Sequence, residues 1–97
     1  MGQNFLIADD IVDEIIHASK IEKDDLVIEI GPGIGTLTFK LLEEAGRVVA
    51  VELDNRMINI LNDRFLLYNN FKLIHDDILK IDLKKLIKEE IGRASCR

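Results

Sequence analysis

An α/β fold, about three parallel strands with flanking helices, is what this 97-residue sequence predicts, and three observations lead to it. The first is Val27-Ile28-Glu29-Ile30, an apolar run that breaks into Gly31, Gly33 and Gly35 and then into a helical pattern from Thr36. The second is a pair of later apolar runs, residues 47–51 and 71–75, each preceded by a helix-period stretch and each followed by acids. The third is the almost continuous apolar character of residues 26–30 and 47–51, which suits strands covered on both faces. Strands alternating with helices select a parallel sheet.

Bulk properties bound the answer. With 47% apolar and 32% charged residues, the chain reads as one soluble globular unit. A chain of this size hides only about 60–65% of its unfolded surface, so such a sheet is marginal by itself. Residues 1–91 are therefore expected to be one domain or part of one, and residues 92–97 an unpatterned and possibly non-native tail. A net charge of -5 excludes a protein that coats polyanions, because phosphate neutralisation needs clustered Lys and Arg. Cys96 is the single cysteine, which excludes an internal disulfide and a multi-cysteine metal site. His17 and His75 stand far apart, and no metal is expected. No apolar run reaches the length of a membrane span, and the N-terminus lacks a signal-peptide layout, so the cytoplasm is the expected compartment.

The elements follow in order. Asp9 and Asp10 can cap a helix from Ile11 that buries Ile11, Val12, Ile15 and Ile16. A charged connector leads to the first strand, residues 26–30. After the glycines, Leu37, Leu41, Leu42 and Ala45 make one apolar stripe, and Gly46 is expected to end the helix in a left-handed conformation. The second strand, rich in valine, ends in Glu52. A right-handed crossover places it parallel to the first. Residues 55–66 form the next helix, with Met57, Ile60, Leu61 and Phe65 inward, and residues 68–70 a turn. The third strand, residues 71–75, runs into Asp76-Asp77-Ile78-Leu79. A last helix over residues 82–91 turns Leu83, Leu86, Ile87 and Ile91 inward and Lys84, Lys85 and Lys88 outward.

The glycine loop carries the chemistry. Its G-x-G-x-G spacing places Thr36 where a dinucleotide fold needs its third glycine, so it departs from the pyrophosphate-binding fingerprint. Glu29 at the strand end would repel a pyrophosphate and attract a ligand bearing an ammonium and a sulfonium. S-adenosylmethionine carries both. Glu52 lies seventeen residues beyond Gly35, near the interval at which a strand-end acid accepts from ribose hydroxyls. Asp76 or Asp77 can accept from the exocyclic amine of adenine, with Leu53 and Ile78 against the ring faces, although Asp in such a place also caps turns. His75 is expected to be a plain strand residue.

Taken together, these stretches resemble the ribosomal RNA adenine N6-dimethyltransferases, from Gly2 to about Ile91. Gly2-Gln3-Asn4-Phe5-Leu6 is similar to that family's N-terminal cofactor motif, Glu29-Ile30-Gly31-Pro32-Gly33 to its loop, Val51-Glu52 to its ribose acid, and Asp77-Ile78-Leu79 to its adenine segment. The resemblance implies a Rossmann-like class I methyltransferase fold, here partial, with S-adenosylmethionine as cofactor. It implies cofactor contacts at Asn4, Leu6, Gly31, Glu52 and Asp77, to which the loop and strand-end reading adds Gly33, Leu53 and Ile78. It also implies ribosomal RNA of the small subunit as substrate, since Pro32 and Ile34 look like the housekeeping branch and not the large-subunit resistance branch. The family's Asn-(Leu/Ile)-Pro-(Tyr/Phe) catalytic motif, its fourth strand, its leading basic stretch and its helical C-terminal domain are not in these residues. The chain is therefore expected to bind cofactor without methylating, and no catalytic residue is assigned. A non-catalytic cofactor-binding or RNA-binding module is the competing expectation. A sheet of three strands has open edges, so self-association or partial disorder near the C-terminus is expected.

Overall fold

Main-chain pairing follows the alternation of apolar runs and helix-period stretches. The computed structural model describes residues 9–95, with side chains from Asp13 to Gly92. Helix α1 (Asp9–Ser19) leads to β1 (Leu26–Ile30), α2 (Thr36–Glu44), β2 (Arg47–Glu52), α3 (Asn55–Arg64) and β3 (Phe71–His75). A 3-10 turn (Ile78–Lys80) then precedes α4 (Leu83–Ser95). The sheet has the order β1-β2-β3 with both pairs parallel, so α2 and α3 are the crossovers expected between neighbouring strands. Ile30 pairs with Val51 and Glu52 with His75, which brings the ends of all three strands to one edge.

The core forms where the helices cover β2. Leu41, Leu42 and Ala45 of α2 pack with Val48 of β2, Leu61 of α3 and Phe65 just after it. Phe65 meets Phe39 edge-on at 4.8 Å and lies 5.0 Å from Phe71, so one ring joins α2, the α3 exit and β3. Edge-on rings add to area burial because the positive edge of one meets the negative face of the other. Residues 48–52 are buried without a break, as a central parallel strand requires. β1 pairs only with β2 among the described strands and is half-buried, and its last residue, Ile30, is 58% exposed.

Four expectations are corrected. Ile15 is 41% exposed, because α1 packs on α2 through the edge that carries Ile16; Ile11 and Val12 lie outside the described side chains. Helix α3 ends at Arg64 and turns Ile60 outward, since Leu61 and Phe65 already fill the inward position. Gly46 is not left-handed. It is glycine because a Cβ there would stand 2.3 Å from the Lys23 carbonyl oxygen, where the chain passes close enough for Gly46 N–H to donate to the Asp25 carbonyl. Helix α4 runs through Gly92 to Ser95, four residues past the end at Ile91 expected for it. A lone glycine weakens a helix without stopping it unless it adopts the left-handed turn, and Gly92 does not.

What fixes α4 is a charge. Leu83 and Ile91 are exposed, contrary to the inward placement expected of them, whereas Glu90 is 1% exposed. Its carboxylate accepts from Arg47 Nε at the start of β2 and, at 3.1 Å, from Lys72 Nζ in β3. Burial alone would raise the Glu90 pKa, but the hydrogen bonds and charges of Arg47 and Lys72 outweigh it and hold the carboxyl below its usual range. An unpaired carboxylate in this position would be expelled or protonated. Arg47 and Lys72 keep 20% and 39% of their side chains in water, so they can rehydrate when the acid is removed. Glu90→Ala is therefore expected to cost about 2 kcal/mol, below the range for a fully buried pair, as a lower urea midpoint. Because the folded pKa is depressed, this contribution is present above the usual value of 4.5 and is lost as pH falls through the folded value. The difference between wild type and variant should shrink accordingly in acid.

Candidate functional site

The site begins where β1 runs out. Gly31 and Gly33 have φ of 66° and 62°, and a Cβ on either would meet nothing within 4 Å. Their lack of a side chain thus serves the backbone turn and leaves the outer side of the loop open. Gly35 is different. At φ 91° its Cβ would stand 2.6 Å from the Phe65 ring, so this glycine lets α2 close onto the core. The loop is tied to β2 by Gly31 N–H donating to the Val51 carbonyl at 2.9 Å, and to itself by Gly35 N–H donating to Pro32 at 3.0 Å. Gly35 is the N-cap of α2, and neither a side-chain cap nor a first-turn acid occupies that helix end.

Across the edge, β2 delivers Glu52. Its side chain is buried, and Oε2 accepts from the backbone N–H groups of Leu53 at 3.0 Å and Asp54 at 2.9 Å. Two donors satisfy that oxygen, while Oε1 has no donor among the described residues. Asp54 caps α3 by accepting from Arg56 N–H at 2.8 Å. Hydrogen bonds from the Arg56 side chain and backbone hold the Asp54 carboxyl down to about 2. The start of α3 is thereby set immediately after Glu52.

β3 brings the third group. Asp76 N–H donates to the Glu52 carbonyl at 3.1 Å, and His75 Nε2 lies 3.2 Å from the Leu53 carbonyl oxygen. Asp77 caps the 3-10 turn, its Oδ1 accepting from Leu79 N–H at 2.9 Å, so the capping role weighed from sequence is real. Oδ2 has no partner among the described residues, and the cap therefore leaves half of the carboxylate for another donor.

A shallow cavity of about 140 Å³ lies between these ends, bounded by Ile30, Gly31, Glu52, Leu53, Asp77 and Ile78. Sites for nucleoside-sized ligands run to about 300–1,000 Å³, so these residues form one wall of such a site. A larger groove of about 350 Å³ between α1 and α2 holds none of the expected residues, and its Lys40 and Asp13 pair with each other at 3.5 Å. The three carboxylates at Glu22, Asp24 and Asp25 sit on a turn, where Asp25 is spent on the Glu22 N–H at 2.8 Å.

Five of the residues expected from sequence, Gly31, Glu52, Leu53, Asp77 and Ile78, are thus brought together, and Gly33 lies on the loop just beyond the cavity wall. Asn4 and Leu6 lie outside the described residues. Glu29 stands at the end of β1 as expected but is not among the residues that bound this cavity; its Oε1 accepts from the Thr38 hydroxyl at 2.5 Å, and both side chains are buried. Thr38 was legible in principle, since it precedes Leu41 and Leu42 by three and four residues and so shares their inward face. His75 gained its role from the Leu53 carbonyl, a contact across strands that no local pattern announces.

Comparison with known proteins shows the family. The family model for ribosomal RNA adenine dimethylase matches residues 1–95. The chain belongs to that family. A ribosomal RNA small subunit methyltransferase A of Clostridium acetobutylicum is 50% identical over 90 residues, covering 93% of this chain and 33% of the relative. The corresponding protein of Dehalococcoides mccartyi is 44% identical over 91 residues. Among solved structures, a dimethyladenosine transferase from Plasmodium falciparum superposes with a TM-score of 0.73 at 41% identity, over 80% of this chain and 29% of that one. The 23S rRNA methyltransferase ErmE gives 0.74 at 29% identity, over 80% and 32%. The chain spans about a third of the length of the relatives it matches. The partial Rossmann-like methyltransferase fold expected from the sequence is the fold found.

Burial pushes the Glu29 carboxyl upward, and the Thr38 hydrogen bond offsets only part of that. A raised folded pKa means that the folded state binds the proton more tightly than the unfolded state. The buried charge therefore costs stability above the folded pKa, and the cost fades as pH falls through it toward 4.5. Glu29→Gln keeps an acceptor for Thr38 without the charge. It is expected to raise the circular-dichroism melting temperature by a few degrees at pH 7.5, with a smaller gain at pH 4.5.

Proposed function

We propose that this chain is the S-adenosylmethionine-binding portion of a ribosomal RNA adenine N6-dimethyltransferase acting on the small subunit. The observation that carries the reading is the state of Glu52. Its Oε2 is saturated by two backbone donors, whereas Oε1, at the strand end beside Gly31 and Asp77, has no donor among the described residues. A buried carboxylate held rigidly with one oxygen free is suited to accept from ribose hydroxyls. The free Oδ2 of Asp77 suits an adenine amine, and Leu53 and Ile78 offer apolar faces to the ring. The open outer side of Gly31 and Gly33 admits a ligand against the main chain. Asn4 and Leu6 are proposed as further contacts on the strength of the family motif.

When bound, S-adenosylmethionine supplies a methyl group on a sulfonium that departs as a neutral thioether. The residues of this chain bind and orient; none is placed to move a proton. Alignment and exclusion of water dominate such a transfer, which agrees with a site of binding carboxylates and glycines. The Asn-Leu-Pro-Tyr type of motif that holds the target amine is not in these 97 residues, so this chain by itself is proposed to bind cofactor without turnover. Substrate RNA and the small subunit belong to the proposal through the relatives named above. A cytoplasmic site of action is part of the same reading; among the described residues, no helix is long and apolar enough to cross a membrane.

Calorimetric titration tests the reading. Saturable binding of S-adenosylmethionine but not NAD is expected, weakened about tenfold or more by Glu52→Ala and less by Asp77→Ala. Equal binding of NAD, or an unchanged affinity in Glu52→Ala, would overturn it. Self-association through the exposed sheet edges, which among the described strands are β1 and β3, is also proposed, because unpaired strand groups recruit another strand. Sedimentation velocity should show a concentration-dependent shift above the monomer; a single monomeric species across a hundredfold range would refute this.

A further inference from the structure

We infer that Glu29 and Thr38 form a buried clamp that holds the glycine loop in its cofactor-receiving shape, which makes both of them positioning residues. The inference rests on the cofactor reading above and adds to it two residues that are not among those lining the cavity. The first support is topological. Glu29 is the penultimate residue of β1 and Thr38 lies in the first turn of α2, so their hydrogen bond of 2.5 Å spans the whole loop from one limb to the other. Among the described residues, no other side-chain hydrogen bond joins β1 to α2.

The second support is that little else restrains the loop. Three of its residues are glycines at positive φ, Gly31 and Gly33 have open space around them, and the N-terminus of α2 has no side-chain cap. Glycines lose more freedom on ordering than other residues, so a loop of this composition needs a restraint from outside itself. The backbone bonds from Gly31 to Val51 and from Gly35 to Pro32 fix its two ends, and the clamp fixes the distance between the elements that carry them.

The third support is energetic. Thr38 is fully buried and Glu29 nearly so, and a largely desolvated carboxylate whose one protein partner among the described residues is a neutral hydroxyl is a poor choice for stability alone. An aliphatic pair of similar volume would serve the packing as well or better. The retained polar pair is accounted for by the defined geometry that it imposes, because a directional hydrogen bond specifies one loop shape where apolar contact tolerates several.

The test separates positioning from stability. Thermal melts, calorimetric titration with S-adenosylmethionine and hydrogen exchange of the loop amides without ligand are measured on the whole chain. The double variant Glu29→Leu with Thr38→Val should melt no lower than wild type, yet bind about tenfold more weakly and exchange the Gly31 and Gly35 amides at least fivefold faster. Thr38→Ser keeps the hydroxyl and should restore affinity and exchange to within about threefold of wild type. The clamp is refuted if the folded double variant keeps wild-type exchange rates, or if Thr38→Ser is as impaired as Thr38→Val. Exchange in the absence of ligand tests the clamp even if wild type binds no S-adenosylmethionine, an outcome that would overturn the cofactor reading separately. Should the double variant fail to fold, the serine and valine substitutions at Thr38 decide the matter by the same two readouts.

Discussion

Parallel pairing to a single buried strand is the constraint on which the rest of this structure depends. β2 pairs with a neighbour on each side, and because both pairings are parallel, the C-terminal ends of all three strands emerge at one edge. Gly31, Glu52 and Asp76 are far apart in sequence, yet each stands at such an end. Antiparallel pairing of any one strand would send its terminal acid or glycine to the opposite edge. The helices serve the same constraint, since a parallel connection needs a crossover and α2 and α3 supply it while burying β2.

The three buried acids divide the remaining work. Glu90 answers to two cations and secures α4 against the start of β2 and the middle of β3. Glu52 answers to two backbone amides, both on Oε2, and its Oε1 has no donor among the described residues. Glu29 answers to one hydroxyl beneath the loop. The partners of Glu90 and Glu29 explain the opposite displacements of these two titrations. Paired charges hold Glu90 low, whereas Glu29, with a neutral donor alone, is pushed up by burial. Burial without a counter-charge is tolerated where it sets geometry at the site, and the counter-charged acid lies at the far end of the sheet.

Much of this was legible along the chain, for identifiable reasons. The three strands were found nearly to the residue, because a strand buried in a parallel sheet writes its burial as a continuous apolar run. That Gly31, Glu52 and Asp77 meet at one edge was legible because parallel strands bring their C-terminal ends together, a rule of position that needs no knowledge of packing. Ile15, Ile60, Leu83 and Ile91 were placed inward by periodicity and lie outward. Helical period shows which residues share a face and not how wide a neighbour covers that face. Gly46 was assigned the right boundary and the wrong cause, since a glycine demanded by a close main-chain approach looks the same in sequence as one demanded by a left-handed turn.

The sequence by itself determined the parallel α/β class, the order of elements, the loop and the strand-end acids, because all of these follow from local pattern and the rules of chain connection. Only the tertiary structure decided the partners of the acids. That Glu90 meets Arg47 and Lys72, that Glu29 meets Thr38, and that Glu52 takes its donors from Leu53 and Asp54 are matters of which groups folding brings together. A carboxylate carries no mark of its destination. What it does is set by the donors and the dielectric that folding brings to it, and those come from residues far away in the chain.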